Sequence, residues 1–469
     1  MSGSSNQNES LSDRLVTVGR GTLAIGMVIG ALTWTEGEGW TTRPGGGLFA
    51  LGFLLLAGTF AGRVVALLGF PRLTGYLAVG VLSGPHGLGV LSTADVDDLA
   101  LINALALALI ALQAGAELTT SMLKRSFRSL MWASAGHILF IFTGMTLVFA
   151  GLLRFTDFGA DLPLGAALAV GTVWGAMAVS KAATDALAIL SETRAKGPVS
   201  EYALGVVIVI DVFVLVLFAI GLTTAKTALT PDAAFSLVEL EELGVELFAS
   251  VAAGTTFGLL IAFYFWAVGR EKLLFTVVVA YGVTAFCSYF HYDTLLVFVV
   301  AGFVVSNLTR EGHHLVDTTE SISVAVMVVF FATAGAQLDL GALRIYGPIA
   351  LALALARIAF TYLASQFGHK MAGDTDVVRR YGWTAFVSQA GVTLGLASIA
   401  KSALPDEVGT GIVTLLIAVI GINELLGPVL FKVGLMKAGE VGAASQGSHA
   451  AQDNDGESEG APTAPAPDA

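Results

Sequence analysis

Residues 202–224 read YALGVVIVIDVFVLVLFAIGLTT, a run with a single charge, Asp211, near its centre. Wound as a helix, these residues span about 34 Å, enough to cross the hydrocarbon of a bilayer. A carboxylate at that depth is expensive to keep ionised, and such residues mark ion paths, proton relays or counter-charges. The stretch therefore reads as a membrane span built around a functional acid.

The rest of the chain agrees. Of 469 residues, 55% are hydrophobic and 13% charged, more apolar surface than a soluble domain can hide. Runs of the required length fall near 15–35, 47–68, 72–91, 97–117, 130–153, 163–190, 201–224, 243–267, 272–289, 292–308, 319–338, 343–367, 380–402 and 409–434, which predicts an all-α polytopic protein of about 14 transmembrane helices. Residues 1–14 read as a cytoplasmic leader, without the cleavage site of a signal peptide.

The basic residues test the count. With both termini inside, seventeen of the 24 Lys and Arg fall on the cytoplasmic side, five (Arg43, Arg154, Lys226, Arg344, Lys401) fall outside, and Lys181 and Arg357 lie within the membrane. This is the asymmetry of the positive-inside rule. The outer loops are acidic, with Glu36 and Glu38, then Asp95, Asp97 and Asp98, then Asp232, Glu239, Glu241 and Glu242. A miscounted helix would invert the alternation downstream. Residues 438–469 carry acidic but no basic side chains and no aliphatic stripe, and read as a disordered cytoplasmic tail.

Three further segments bear polar groups at membrane depth. GAMAVSKAATDALAIL (175–190) places Lys181 and Asp185 four residues apart. On a continuous helix the two share a face and neutralise each other; on an interrupted one, Ser180, Thr184 and the backbone supply oxygen ligands. RYGWTAFVSQAGVTLGLASIAKS (380–402) holds Ser388, Gln389 and Gly391 at mid-depth. There, either a broken helix turns carbonyls and dipole ends toward an ion, or small residues serve helix packing. Arg357, in ALALARIAFTYLAS (352–365), reads as a counter-charge for Asp211, the alternative being a snorkelling arginine. Glu424 braces the core or makes a structural hydrogen bond, and His137 reads as a packing residue.

The chain lacks GxGxxG, GxxxxGK[ST] and GxSxG, and no His, Asp or Glu cluster has metal-ligand spacing. Its lone cysteine, Cys287, rules out an intrachain disulfide framework. The net charge of −12 argues against nucleic acid as a partner. The expectation is a transporter and not an enzyme, with no nucleotide and no cofactor, working in the lipid bilayer.

Five stretches carry a resemblance: GFPRLTGYLAVGVLSGPHGLGVLS (69–92), AGAEL (114–118), VFFATAGAQLDL (329–340), SQAGVTLGLA (388–397) and NELLGPVLFKVGLMKAGE (423–440). In that order the chain resembles the second branch of the cation:proton antiporter superfamily, the sodium/proton and potassium/proton exchangers. The resemblance covers about 47–440 and leaves the first helix and the tail outside.

It implies a homodimer in the cell membrane, exchanging Na⁺ or K⁺ for H⁺ through a 47–434 transmembrane domain. That domain would have inverted repeats at about 47–224 and 272–434, joined by a linker helix at 243–267. The interrupted, crossing helices would be 163–190 and 380–402. The essential aspartate falls on Asp211 and the embedded basic residue on Arg357. Ile210 stands where many members carry Asp or Asn, and Lys181 where small or hydroxyl residues are common.

A carboxylate removed from water binds a proton or a dehydrated cation but not both, so one shared acid and alternating exposure give exchange. With an arginine that does not give up its proton, the expectation is one cation per proton. A cation channel with Asp211 as selectivity charge, or a sodium-coupled organic-anion symporter of related architecture, are the competing readings.

Overall fold

The computed structural model describes residues 46–229, 238–290, 292–338, 340–389 and 392–442. The expected leader 1–14, the helix 15–35, most of the tail, Gly391 and His291 lie outside the described residues.

Among the described residues the structure is helical, as backbone in lipid requires. The longer helices are α1 (Gly46–Leu67), α2 (Arg72–Ser83), α3 (Ala100–Glu117), α4 (Thr120–Gly136), α5 (Thr143–Leu152), α6 (Leu164–Val179), α7 (Ala183–Thr193), α8 (Pro198–Leu229), α9 (Val238–Ala267), α10 (Lys272–Phe290), α11 (Thr294–Leu308), α12 (Gly312–Glu320), α13 (Ser323–Ala336), α14 (Leu340–Ala372), α15 (Val392–Ala403) and α16 (Asp406–Ala438). Every apolar run that falls on described residues has a helical counterpart. Nine helices among the described residues are long and apolar enough to cross a membrane, or ten if the pair α12–α13, bent by 60°, counts as one span.

Prolines set several helix starts, with Pro71 and Pro163 as N-caps and Pro198 at the first position of α8, where a missing N–H costs nothing. The run 72–91 is helical only to Ser83, because Gly84 turns extended and Pro85 cannot continue the ladder. Between α4 and α5 the helix passes through a π-helical stretch, His137–Phe142.

The architecture is that of two inverted repeats with crossed, interrupted helices. A long helix, a broken helix and a second long helix follow one another as α4–α5, α6/α7 and α8, and again as α14, Gly382–Phe386/α15 and α16. One apolar cluster joins α5, α6, α8, α14, α15 and α16, and includes Phe149 stacked on Trp174 at 4.2 Å. A second, drawn from α3, α9, α10 and α11, lies in the remaining panel. Panel helices pack through small residues. A Cβ on Gly115 would strike the Val299 carbonyl, and one on Gly302 the Leu112 carbonyl, so α3 and α11 meet backbone to backbone.

Candidate ion site

The two interrupted helices meet at their breaks. α6 ends at Val179 and α7 begins at Ala183, leaving Ser180, Lys181 and Ala182 unwound without a proline. In the second repeat, Val387, Ser388 and Gln389 leave the helix after a 3₁₀ turn over Gly382–Phe386. The Ala182 N–H donates to the Ser388 carbonyl at 3.3 Å. The Gln389 amide donates to the Met177 carbonyl at 2.9 Å.

Arg357 lies at the centre of this crossing, fully buried. Its Nε donates to Ala178 O (2.9 Å), its NH2 group to Ser180 O (2.8 Å) and its NH1 group to Val387 O (2.6 Å). Those carbonyls close the first halves of both broken helices, where orphan oxygens and the negative dipole end gather. The planar guanidinium reaches three of them at once, which an ammonium could not match in geometry. This corrects the expectation that Arg357 answers Asp211: its hydrogen bonds go to the main chain of the two breaks.

Asp211 sits half-buried on α8, which runs unbroken through it, and its Oδ1 is shielded from solvent without a hydrogen-bond partner. The charged groups within electrostatic reach of it are Lys181 and Asp293. Lys181 is 1% exposed; its Nζ has no acceptor and lies 6.0 Å from the centre of the Phe386 ring. A buried ammonium with no acceptor is costly, and the aromatic face offsets part of that.

The expected Lys181–Asp185 pair is absent from the ion pairs among the described residues. Helix α7 starts after Lys181, so the four-residue spacing no longer places the two on one face. Asp185 lies instead in the first turn of α7, at the favourable end of its dipole. The Glu424 carboxyl of α16 and the Ser388 and Thr184 hydroxyls lie near it, and neither Asp185 carboxylate oxygen has a hydrogen-bond partner among the described residues. Glu424 accepts from the Gln389 N–H at 3.1 Å, and Asn423 donates to the Gln389 side-chain oxygen at 3.1 Å. Two neighbouring carboxyl groups can hold one proton between them.

Thr184 also lines a narrow gap between the panel and the triplet helices. Val207, one turn before Asp211, lies on one wall, and Leu295 and Val299 of α11 on the other. Ser180, Thr184, Asp185, Ser388 and Gln389 are thus gathered at the crossing, and Ser180 Oγ is buried without a partner. His137 packs edge-on against Phe386 at 5.1 Å, with both ring nitrogens buried and without a hydrogen-bond partner among the described residues.

Three residues escaped sequence reasoning as site components. Asn423 and Glu424 carried a polar signal, but nothing in linear order linked them to 388–389. Asp293 was not singled out in the sequence; it caps α11 by accepting from the Leu296 N–H at 2.9 Å.

Comparison with known proteins adds to this geometry. The family described as sodium/hydrogen exchanger, transmembrane, matches residues 51–437. A sodium/proton antiporter of Enterococcus hirae is 24% identical over 383 residues, covering 81% of this chain and 95% of that protein. The probable sodium/proton antiporter GerT of Bacillus cereus is 34% identical over 109 residues, 23% of this chain and 28% of that one. Among solved structures, the sodium/proton antiporter MjNhaP1 of Methanocaldococcus jannaschii at pH 8 superposes with a TM-score of 0.61 at 16% identity, over 84% of this chain and 98% of the other. A second MjNhaP1 structure, an electron-microscopy map, gives 0.65 at the same identity and coverage.

Proposed function

Since the chain belongs to the sodium/hydrogen exchanger family, we propose that it is a secondary antiporter that exchanges Na⁺ or K⁺ for H⁺ across the cell membrane, with Asp211 as the shared carrier. The observation that carries this reading is Asp211 itself: a carboxylate with a shielded, unpartnered oxygen, on an intact helix beside two helices whose backbones are opened. The Ser180 and Thr184 hydroxyls add oxygen ligands for a dehydrated cation, and the Ser180 Oγ has no other partner among the described residues. Lys181 answers the Asp211 charge when no cation is present. A proton or a cation on the same carboxylate excludes the other, and alternating exposure couples their fluxes.

The triplet helices, about 130–224 and 343–434, move against the panel, which forms the contact between two copies of the chain. Both termini lie in the cytoplasm. Arg357 holds its proton and serves the helix ends, so Asp211 moves one cation for one proton.

The test is dye-monitored proton movement in proteoliposomes, with Na⁺, K⁺ and Li⁺ added in turn. Wild type should respond to at least one cation, and Asp211→Asn to none while remaining folded. Cation-dependent proton flux at the wild-type rate in Asp211→Asn would remove Asp211 as the carrier. A null-flux potential that moves with imposed voltage would refute one-for-one exchange.

A further inference from the structure

The last helix ends in a device that grips the helix carrying Asp211. α16 stops at Ala438, and Gly439, at φ +75°, reverses the chain in a left-handed turn where the Glu440 N–H donates to the Leu435 carbonyl at 3.1 Å. This turn aims the Glu440 side chain at the start of α8, where it is 4% exposed. One carboxylate oxygen accepts from the Val199 N–H at 2.7 Å; the other accepts from the Ser200 N–H at 2.9 Å and the Ser200 hydroxyl at 2.6 Å. The backbone joins in, with the Lys196 N–H donating to Glu440 O at 3.1 Å and the Gly442 N–H to Thr193 O at 2.9 Å.

The fit is close. A Cβ on Gly197 would come within 2.5 Å of the Glu440 carboxyl carbon. This corrects the expectation of a disordered tail from residue 438, because residues through Gly442 are built into the fold.

A carboxylate on the free N–H groups of a helix start is a strong cap, charge-assisted and aligned with the dipole. Here it joins three elements that also meet at the ion site. α7 brings Asp185, α8 brings Asp211, and α16 brings Asn423 and Glu424. At this end Glu440 fixes the register of α8 against the other two.

We propose that Glu440 is a positioning residue for Asp211, holding α8 in register with α7 and α16 so that the carboxylate meets the broken helices at the distance a cation needs. The proposal rests on the reading of Asp211 as carrier. Loosening α8 should weaken cation binding more than it slows the turnover of loaded protein.

The test uses the full chain in proteoliposomes, with flux normalised to folded protein. Glu440→Ala should raise the half-saturating cation concentration about fivefold, with a smaller change in maximal rate, in keeping with loss of a helix cap. Glu440→Gln, which keeps an acceptor oxygen, should recover part of the shift. A chain ending at Gly442 should match wild type, and one ending at Ala438 should behave like Glu440→Ala. A wild-type half-saturation in Glu440→Ala, or a shift in the chain ending at Gly442, would overturn the proposal. If Glu440→Ala yields no folded protein, Glu440→Gln decides the same point: a raised half-saturating concentration supports the proposal and a wild-type value overturns it. Asp211→Asn in the same vesicles tests the underlying reading separately, since its failure shows as flux that no longer depends on Asp211.

Discussion

The helix that carries Asp211 and the helices that cross beside it solve opposite problems. α8 is continuous over 32 residues, so its backbone is satisfied internally and a side chain must supply the chemistry. At the crossing the main chain is opened twice, and side chains are recruited to repair it. Arg357 donates to three carbonyls there, and Gln389 to a fourth. An embedded charge can therefore stand unpartnered on one helix and brace the main chain on the next, although both look alike as lone polar letters in apolar runs. Substitutions that touch the brace should damage the fold, whereas those that touch the proposed carrier should spare it.

The largest effect separating the two regions should come from Arg357. Arg357→Ala leaves three buried carbonyls without donors, at about 1–3 kcal/mol each, and little folded protein should be recovered. Arg357→Lys keeps the charge and loses the fork; it should fold with a lower melting temperature and exchange about tenfold more slowly per folded molecule. Thermal melts beside flux assays separate the two effects. A wild-type melting temperature in Arg357→Lys would show that the guanidinium geometry is dispensable.

A smaller effect should distinguish the partners of Asp185. In a double-mutant cycle on thermal stability, Asp185→Asn with Glu424→Gln should be non-additive by about 0.5–3 kcal/mol, because the two carboxyl groups lie near each other. Asp185→Asn with Lys181→Ala should be additive. Coupling in the second cycle and none in the first would restore the pairing that the four-residue spacing suggests.

Lys181→Ala should act on affinity without lowering stability, since it removes a buried ammonium that has no hydrogen-bond acceptor. Removing a cation that competes for Asp211 should lower the half-saturating cation concentration by about tenfold or more, since a charge pair at intermediate dielectric is worth a few kcal/mol. A rise instead would mean that Lys181 helps to hold the transported ion.

How far the sequence disclosed this arrangement follows from what hydropathy can register. Apolar runs report length and composition, so the span at 202–224 and the crossing segments at 163–190 and 380–402 were legible. Continuity was not. Ser180–Ala182 contains neither proline nor glycine, and only the packing of the second broken helix against it shows why the backbone opens there. Partners distant in sequence were equally hidden. The 179 residues between Arg357 and Ala178, or the 241 between Glu440 and Val199, leave no periodic trace. Arg357 was visible as a buried charge, but its role needed the carbonyls it faces. Glu440, in a polar tail, resembled solvated residues.

The smallest effect should come from Asp293, which sharpens the contrast between the two regions by adding a charge from the panel. Its N–H donates to the Ser250 hydroxyl at 3.1 Å, and α9 continues for twelve residues from Ser250 to its start at Val238, about 18 Å of helix. Asp293 is thus recessed well below the end of α9, at a depth from which it acts on Asp211. On the proposed topology, with both termini in the cytoplasm, the α10–α11 connection opens toward the outside, and Asp293 would attract cations arriving from that side. Asp293→Asn is a clean probe, because asparagine still accepts from the Leu296 N–H and keeps the cap; only the charge changes. In vesicles of fixed orientation, it should raise the half-saturating concentration about twofold for cations presented from outside and leave the inside value unchanged. The difference should fade at high ionic strength, as screening predicts. Equal shifts on both faces, or none, would reduce Asp293 to a helix cap and leave Asp211 as the carboxylate that cations meet first.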